Sequence, residues 1–199
     1  MQFYPIHINI KDRNCLVVGG GKVAQRKVNK LLAAGAAVTV ISKDLTPALQ
    51  ELVDTNRINK LRRSYEKNDI AGFFLVFAAT NDKTTNQLVV SDAQEHGVLA
   101  NSADGADKGD FIIPASCRVG HLNVGISTEG NSPALSACLR KYLMAKLSCI
   151  TTDSVALIAE KRQQMLASGH PKHEAEMKAL IDELISQIEN NNVNLNSIK

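Results

Sequence analysis

Three consecutive glycines, Gly19, Gly20 and Gly21, stand directly behind the apolar run 15–18 and are followed by Lys22, Val23 and Ala24. Gly19, Gly21 and Ala24 fit the spacing G-x-G-x-x-G/A, which lets a turn tighten, a backbone approach a pyrophosphate and a helix sit close to a strand. Free N–H groups at the start of the following helix then favour an anion. Such a loop would cradle the phosphates of a bound dinucleotide, and the plain alternative is a structural turn. No G-K-[ST] ending follows, which excludes a triphosphate P-loop. The next apolar strand ends in "VISKD", with Ser42 where an acidic residue would normally grip the ribose of NAD. Asp44 within reach of the ribose, or Lys43 accommodating a 2′-phosphate, leaves NAD and NADP both open. Thr80 and Asn81, at the end of "FAATND", either line the same ligand or cap a helix. Farther on, Ser127, Thr128, Gly130, Asn131 and Ser132 precede Pro133, an arrangement that seats a carboxylate or simply caps the helix. Arg118, Arg140 and Lys141 are cations able to add charge there.

These groups need elements to position them. Ala24, Val28, Leu31 and Leu32 recur with helical spacing and predict a helix that ends near Gly35. The cations Arg26, Lys27 and Lys30 fall opposite that stripe and are expected on a solvated face. Residues 14–18 and 37–41 read as strands covered on both faces. "RINKLRR", "GFFLVFAAT" and "VLAN" supply three more strands, with helices opened by Thr46-Pro47 and by Asn81 or Asp82, the second stopping at Gly97. The alternation predicts an α/β fold with a doubly wound, Rossmann-like parallel sheet. Leu122, Val124 and Ile126 alternate as in a strand before the helix at Ser132, and His121 falls in a turn.

The chain has 199 residues, a net charge of +3 and 44% hydrophobic residues. That charge is too small to argue for nucleic acid but suits an anionic small molecule. No apolar run reaches the roughly 20 residues of a membrane span, and the N-terminus lacks the regions of an export signal, so a cytoplasmic protein is expected. Cys15, Cys117, Cys138 and Cys149 are widely spaced, which predicts buried reduced thiols rather than a metal site.

Taken in order, "FYPIHINIKDRNCLVVGGGKVAQRKVNKLLAAGAAVTVIS", "FAATND", "ANSAD", "DFIIPA" and "GISTEGNSPALSACLRKYL" resemble the precorrin-2 dehydrogenase family, which includes the N-terminal part of bacterial sirohaem synthase. The resemblance covers roughly residues 1–148. It implies NAD-dependent oxidation of precorrin-2 to sirohydrochlorin, a tetrapyrrole, in sirohaem biosynthesis, with ferrous iron insertion in some members. It also implies a homodimer. Asn101 and Asp104 match the family's N-x-x-D, which makes Asp104 the expected general acid or base and adds Asn101 to the cofactor-binding set of Gly19, Gly20, Gly21, Lys22, Val23, Ala24, Ser42, Thr80 and Asn81. Ser127, Thr128, Gly130, Asn131, Ser132 and Arg118 become the expected contacts to the substrate's acetate and propionate groups. Asp107 and Asp110 are expected to be exposed loop residues.

The expected organisation is a dinucleotide-binding domain over 1–113, an α+β dimerisation segment over 114–148 and a helical segment over 149–199. The last contains two helices parted by "SGHPKH", with His170 and His173 in solvent, and a frayed tail "NNNVNLNSIK". Two other functions fit the same residues: a dinucleotide-sensing module without catalysis, and an oxidoreductase for another anionic substrate.

Overall fold

A computed structural model describes residues 3–105, 108–168 and 171–193. The expectations for Asp107, for the side chains of His170 and His173, and for the chain end from 194 onward lie outside the described residues. The chain divides into two compact units, Met1–Ile112 and Ile113–Lys199.

In the first unit, strand follows helix as the apolar pattern requires. The elements are β1 (Asn14–Val18), α1 (Lys22–Ala33), β2 (Ala37–Ile41), α2 (Pro47–Asp54), β3 (Asn59–Leu61), β4 (Leu75–Ala78), α3 (Lys83–Glu95) and β5 (Leu99–Ser102). The five strands are parallel in the order β3-β2-β1-β4-β5, the doubly wound Rossmann-like arrangement. Chain order reverses beside β1, so the carboxyl ends of β1 and β4 flank the crevice where such sheets bind ligands.

Successive residues of a strand face opposite sides, and both sides are covered here. Cys15, Val17, Val38, Val40, Leu75 and Phe77 pack with Ala24, Val28 and Leu31 of α1 and Leu49 of α2. Leu16, Val18, Ile41, Val76, Ala78 and Ala100 pack on the other side with Val89 and Ala93 of α3. Two buried sides explain why these strands read as unbroken apolar runs. Burial also pushes the Cys15 thiol up to about 11, so it stays protonated.

The turns obey their local chemistry. Gly35 and Gly97 close α1 and α3 with φ of +80° and +65°, a region L side chains resist. Thr46 caps α2 through Leu49 N at 3.3 Å. Of the two candidate caps for α3, Asp82 does the work, accepting from the backbone N–H groups of Thr84 and Thr85, both at 3.1 Å. The Thr85 hydroxyl, then these N–H groups, hold the Asp82 carboxyl below its usual range. A carboxyl depressed in the fold stabilises fully at neutral pH and loses that effect as pH falls below the ordinary aspartate value of about 3.9. Asp82→Asn is therefore expected to flatten the acid limb of stability, read by thermal denaturation across that range.

Beyond the last strand the chain doubles back along its outer edge. Asp110 N donates to Ala100 O at 2.8 Å, and the Asp110 carboxylate accepts from Ala100 N at 2.8 Å. Gly109 sits so close that a Cβ there would be 2.8 Å from Ala100 O. Asp110 is exposed as expected, yet two of its groups serve β5.

The second unit pairs β6 (Ala115–Val119) antiparallel with β7 (Leu122–Ile126) and continues into α4 (Pro133–Lys146), a single 3-10 turn (Leu147–Cys149), α5 (Thr152–Ser168) and α6 (Pro171–Asn190). The ends of α4 and α6 cap each other. Lys146 Nζ donates to the carbonyls of Ile188 and Asn191 at 3.2 and 2.6 Å, while Asn191 Nδ2 donates to those of Ala145 and Lys146 at 3.0 and 2.9 Å. Open carbonyls at a helix end need such donors, so Asn191, expected in the frayed tail, is anchored. Cys138 also departs from expectation. It lies exposed on α4, whereas Cys15 and Cys117 are buried. Among the described residues, no single helix is long and apolar enough to cross a membrane, and no cluster of three or more metal-ligating side chains forms.

Candidate active site

Three backbone bonds fix the glycine loop at the carboxyl edge of the sheet. Gly19 N donates to Ile41 O, Gly20 O accepts from Thr46 N and Gly21 O accepts from Gln25 N, each at 2.9 Å. The three glycines meet different demands. Gly19 has φ of +123°, and a Cβ there would lie 2.4 Å from Ala79 O. A Cβ on Gly20 would lie 1.8 Å from Asp44 O and 2.6 Å from Ser42 Oγ, since the turn after β2 folds over it. Gly21 would meet nothing within 4 Å. The space beside it is open.

Gly21 is also the N-cap of α1, and no side chain caps that helix. The N–H groups of its first turn, from Lys22 to Ala24, have no partner one turn back. No acidic residue occupies this turn, while Lys22, Arg26, Lys27 and Lys30 follow on the same helix. Ala24 is fully buried and brings α1 down onto the sheet. Open donors, a positive helix end and a bare glycine fit the pyrophosphate of a dinucleotide. Ser42, after β2, donates its hydroxyl to Asp44 O at 2.7 Å and so shapes the turn beside the cradle.

At the tips of β4 and β5 a buried amide organises the polar groups. Asn86, fully buried on α3, accepts from Thr80 N and from the Thr80 hydroxyl at 3.1 and 2.8 Å. Its Nδ2 donates to Thr80 O and to Asp104 Oδ1, both at 3.1 Å. The Thr80 hydroxyl also accepts from Asp82 N at 3.1 Å and so braces the residue that caps α3. Asn81 is exposed. Asp104 is half-buried, and its Oδ2 is shielded from solvent with no hydrogen-bond partner among the described residues. A buried carboxylate oxygen left alone is costly, which marks Asp104 as a group held for more than packing. Asp104 also borders a cleft of about 330 Å³ lined by Gln87, Ser91, Gln94, Ser102 and Asp110. The contact runs unbroken from Gly19, packed on Ala79 and Thr80, through Asn86 to Asp104.

Asn86 was not singled out by motif, though it continues the buried α3 stripe of Val89 and Ala93 at helical spacing. Asn86→Ala is expected to destabilise the fold by about 1–3 kcal/mol, the cost of unpaired buried groups, and to lower turnover further by releasing Asp104. Denaturant titration alongside steady-state kinetics separates the two effects.

Lys27 was expected on the solvated face of α1 and is instead half-buried. Its Nζ donates to Asn101 Oδ1 at 2.5 Å and lies 5.3 Å from the Phe77 ring centroid. Asn101, nearly buried on β5, donates from Nδ2 to Phe111 O at 2.8 Å. Burial, with Lys30 and Arg26 adding repulsion, lowers the Lys27 ammonium to about 8.

In the second unit, Ser127, Thr128, Gly130, Asn131 and Ser132 come together in one turn. Ser127 Oγ accepts from Glu129 N at 3.0 Å, Thr128 Oγ from Ser132 N at 2.9 Å, and Ser132 Oγ from Leu135 N at 3.3 Å as the cap of α4. Asn131 Nδ2 donates to Thr128 O at 3.0 Å, and Gly130 has φ of +86°. All three oxygens accept from backbone, and the Thr128 hydroxyl also pairs with the Ser136 hydroxyl at 3.3 Å, which in turn donates to Ser132 O at 3.4 Å. Arg118 stands apart from them. Opposite Asn123 and near the hairpin turn, its Nε donates to Gly120 O at 2.8 Å, at the far end of the hairpin from the 127–132 turn.

Residues 6–115 match the family model described as "Putative NAD(P)-binding". The chain is 42% identical over 165 residues to a siroheme synthase of Methylococcus capsulatus, an overlap of 83% of this chain and 35% of that protein. It is 43% identical over 143 residues to the siroheme synthase of Nitrosococcus oceani, covering 72% and 31%. The chain thus spans about a third of the length of these curated relatives. A solved structure described as SirC, precorrin-2 dehydrogenase, aligns over 94% of this chain and 99% of its own with a TM-score of 0.74 and 26% identity.

Proposed function

We propose, since this chain belongs to the NAD(P)-binding family, that it is an NAD-dependent dehydrogenase that oxidises precorrin-2 to sirohydrochlorin and acts as a homodimer. The observation that carries this reading is the Asp104 carboxylate, oriented by Asn86 with its second oxygen unpaired, joined by contact to the glycine loop. Similarity along 94% of the chain to a precorrin-2 dehydrogenase supports the substrate. Exposed Leu135 and Leu139, one turn apart on α4, are apolar surface that a second copy would cover.

The division of labour follows from the chemistry. A dehydrogenation removes a hydride from one atom and a proton from another, and a bound nicotinamide dinucleotide supplies the acceptor for the hydride. The N–H groups of the first turn of α1 and bare Gly21 would hold its pyrophosphate, with Ser42 beside the ribose and Thr80 and Asn101 along the sheet edge. Asp104 accepts the proton on its unpartnered Oδ2 while Asn86 keeps Oδ1 in place. Ser127 and the start of α4 would meet a substrate carboxylate, because the Ser127 oxygen only accepts from Glu129 N and its hydroxyl has a proton to donate.

The test is an anaerobic absorbance assay with precorrin-2, with and without NAD or NADP. Sirohydrochlorin formed with NAD supports the proposal, and ferrous iron added to the same cuvette then tests whether the product is also metallated. Nucleotide binding without turnover would favour the sensing module. Turnover of a different carboxylated substrate would reassign the activity.

A further inference from the structure

We infer that Lys27 is a positioning residue of this site, one that orients Asn101 and thereby the end of β5 from which Asp104 projects. The inference rests on the proposed dehydrogenase reading, which it deepens. Lys27 lies on α1, the helix whose first turn forms the anion cradle, and its ammonium crosses the face of Phe77 to reach β5. Asn101 is held at both ends of its amide, by Lys27 on the oxygen and by the Phe111 carbonyl on the nitrogen. Phe111 in turn packs edge-on against Phe77 with ring centroids 5.5 Å apart. One cation therefore ties together the dinucleotide helix, the tip of β5 and the segment that returns from the Asp104 loop.

A lysine placed only for solubility would not be drawn into an apolar face, where burial penalises its charge. Charged neighbours on its own helix are Arg26 and Lys30; β4 brings the Phe77 ring and β5 the neutral Asn101, while the returning segment reaches this cluster through Phe111, whose carbonyl accepts from Asn101 and whose ring packs on Phe77. None of these supplies a countercharge. The charge-assisted bond to Asn101 is what the ammonium gains in return, and it is stronger than the bond a neutral amine would make. As pH rises through about 8 the ammonium loses its proton and the tie weakens. Asp104 follows Asn101 after two intervening residues, Ser102 and Ala103, so Lys27 acts on it through position and not by contact.

The experiment compares Lys27→Met and Lys27→Arg with the unaltered chain in two measurements. In steady-state turnover, Lys27→Met is expected to lower kcat about tenfold and to raise KM for NAD as well, since Asn101 lies along the proposed dinucleotide site. Lys27→Arg, whose charge does not titrate, is expected to restore most of kcat and abolish an alkaline fall centred near pH 8. Amide hydrogen exchange over residues 98–111, corrected for intrinsic rates, is read in parallel and needs no substrate. Protection there is expected to fall above that pH in the unaltered chain, to be low at all pH values in Lys27→Met and to persist in Lys27→Arg. Should precorrin-2 prove not to be the substrate, the exchange pattern still decides the role of Lys27. Unaltered kcat and protection in Lys27→Met, or the same alkaline limb in Lys27→Arg, would overturn the inference.

Discussion

Asp104→Asn is expected to lower kcat by about two to four orders of magnitude, the range that a positioned general base contributes, while nucleotide affinity stays within about threefold. The substitution preserves shape, and its amide oxygen still accepts from Asn86 Nδ2 as Oδ1 does at 3.1 Å. What disappears is the carboxylate oxygen that stands unpaired and shielded from solvent. The nucleotide cradle belongs to α1 and the β1 turn, whose backbone bonds to Ile41, Thr46 and Gln25 do not involve Asp104. A split between intact binding and lost turnover assigns the proton to Asp104. Turnover at the unaltered rate in a folded variant would remove it from the mechanism.

The second large effect separates two adjacent glycines. Gly20→Ala drives a methyl to within 1.8 Å of the Asp44 carbonyl, a backbone atom that cannot swing aside. The turn after β2 must open, and overpacking of this kind costs typically about 1–3 kcal/mol or more. Gly21→Ala meets nothing in the protein and has an ordinary φ of −84°, so its melting temperature is expected to stay close to that of the unaltered chain. Its methyl nonetheless occupies the space that a pyrophosphate would take, and nucleotide affinity is expected to fall by at least tenfold. Thermal denaturation and nucleotide titration on both variants therefore give opposite patterns, stability lost with one and binding alone with the other. Equal nucleotide affinity in Gly21→Ala would place the ligand elsewhere.

The sheet was legible because each strand is buried on both sides, so unbroken apolar runs such as 15–18 and 75–78 announce themselves without reference to partners. Helix starts were legible through Thr46-Pro47 and Ser132-Pro133, where the side-chain oxygens do accept from Leu49 N and Leu135 N. Lys27 and Asn86 escaped notice because residue type outweighed position. Lys27 falls between Ala24 and Leu31 at the spacing of the apolar stripe, and Asn86 precedes Val89 and Ala93 in the same manner. Lys27 was read as solvated from its charge, whereas geometry gives it buried Asn101 as a partner and gives Asn86 the half-buried Thr80 and Asp104. Arg118 shows a different limit. Its distance from the 127–132 turn depends on which residue lies across the hairpin, and the pairing of Arg118 with Asn123 is a tertiary fact that side-chain type does not encode.

The doubling back of the chain along β5 bears on how the molecule behaves at high concentration. A bare outer strand is a template on which another chain can polymerise. Here the Ala100 N–H and C=O are both occupied, one by a carboxylate and the other by the Asp110 backbone, with Gly109 pressed too close for a foreign strand to enter. The carboxylate that fills this position takes the N–H a sixth strand would need. On that flank the five-stranded sheet is terminated, and recruitment of a neighbour would first require the chain to release its own loop.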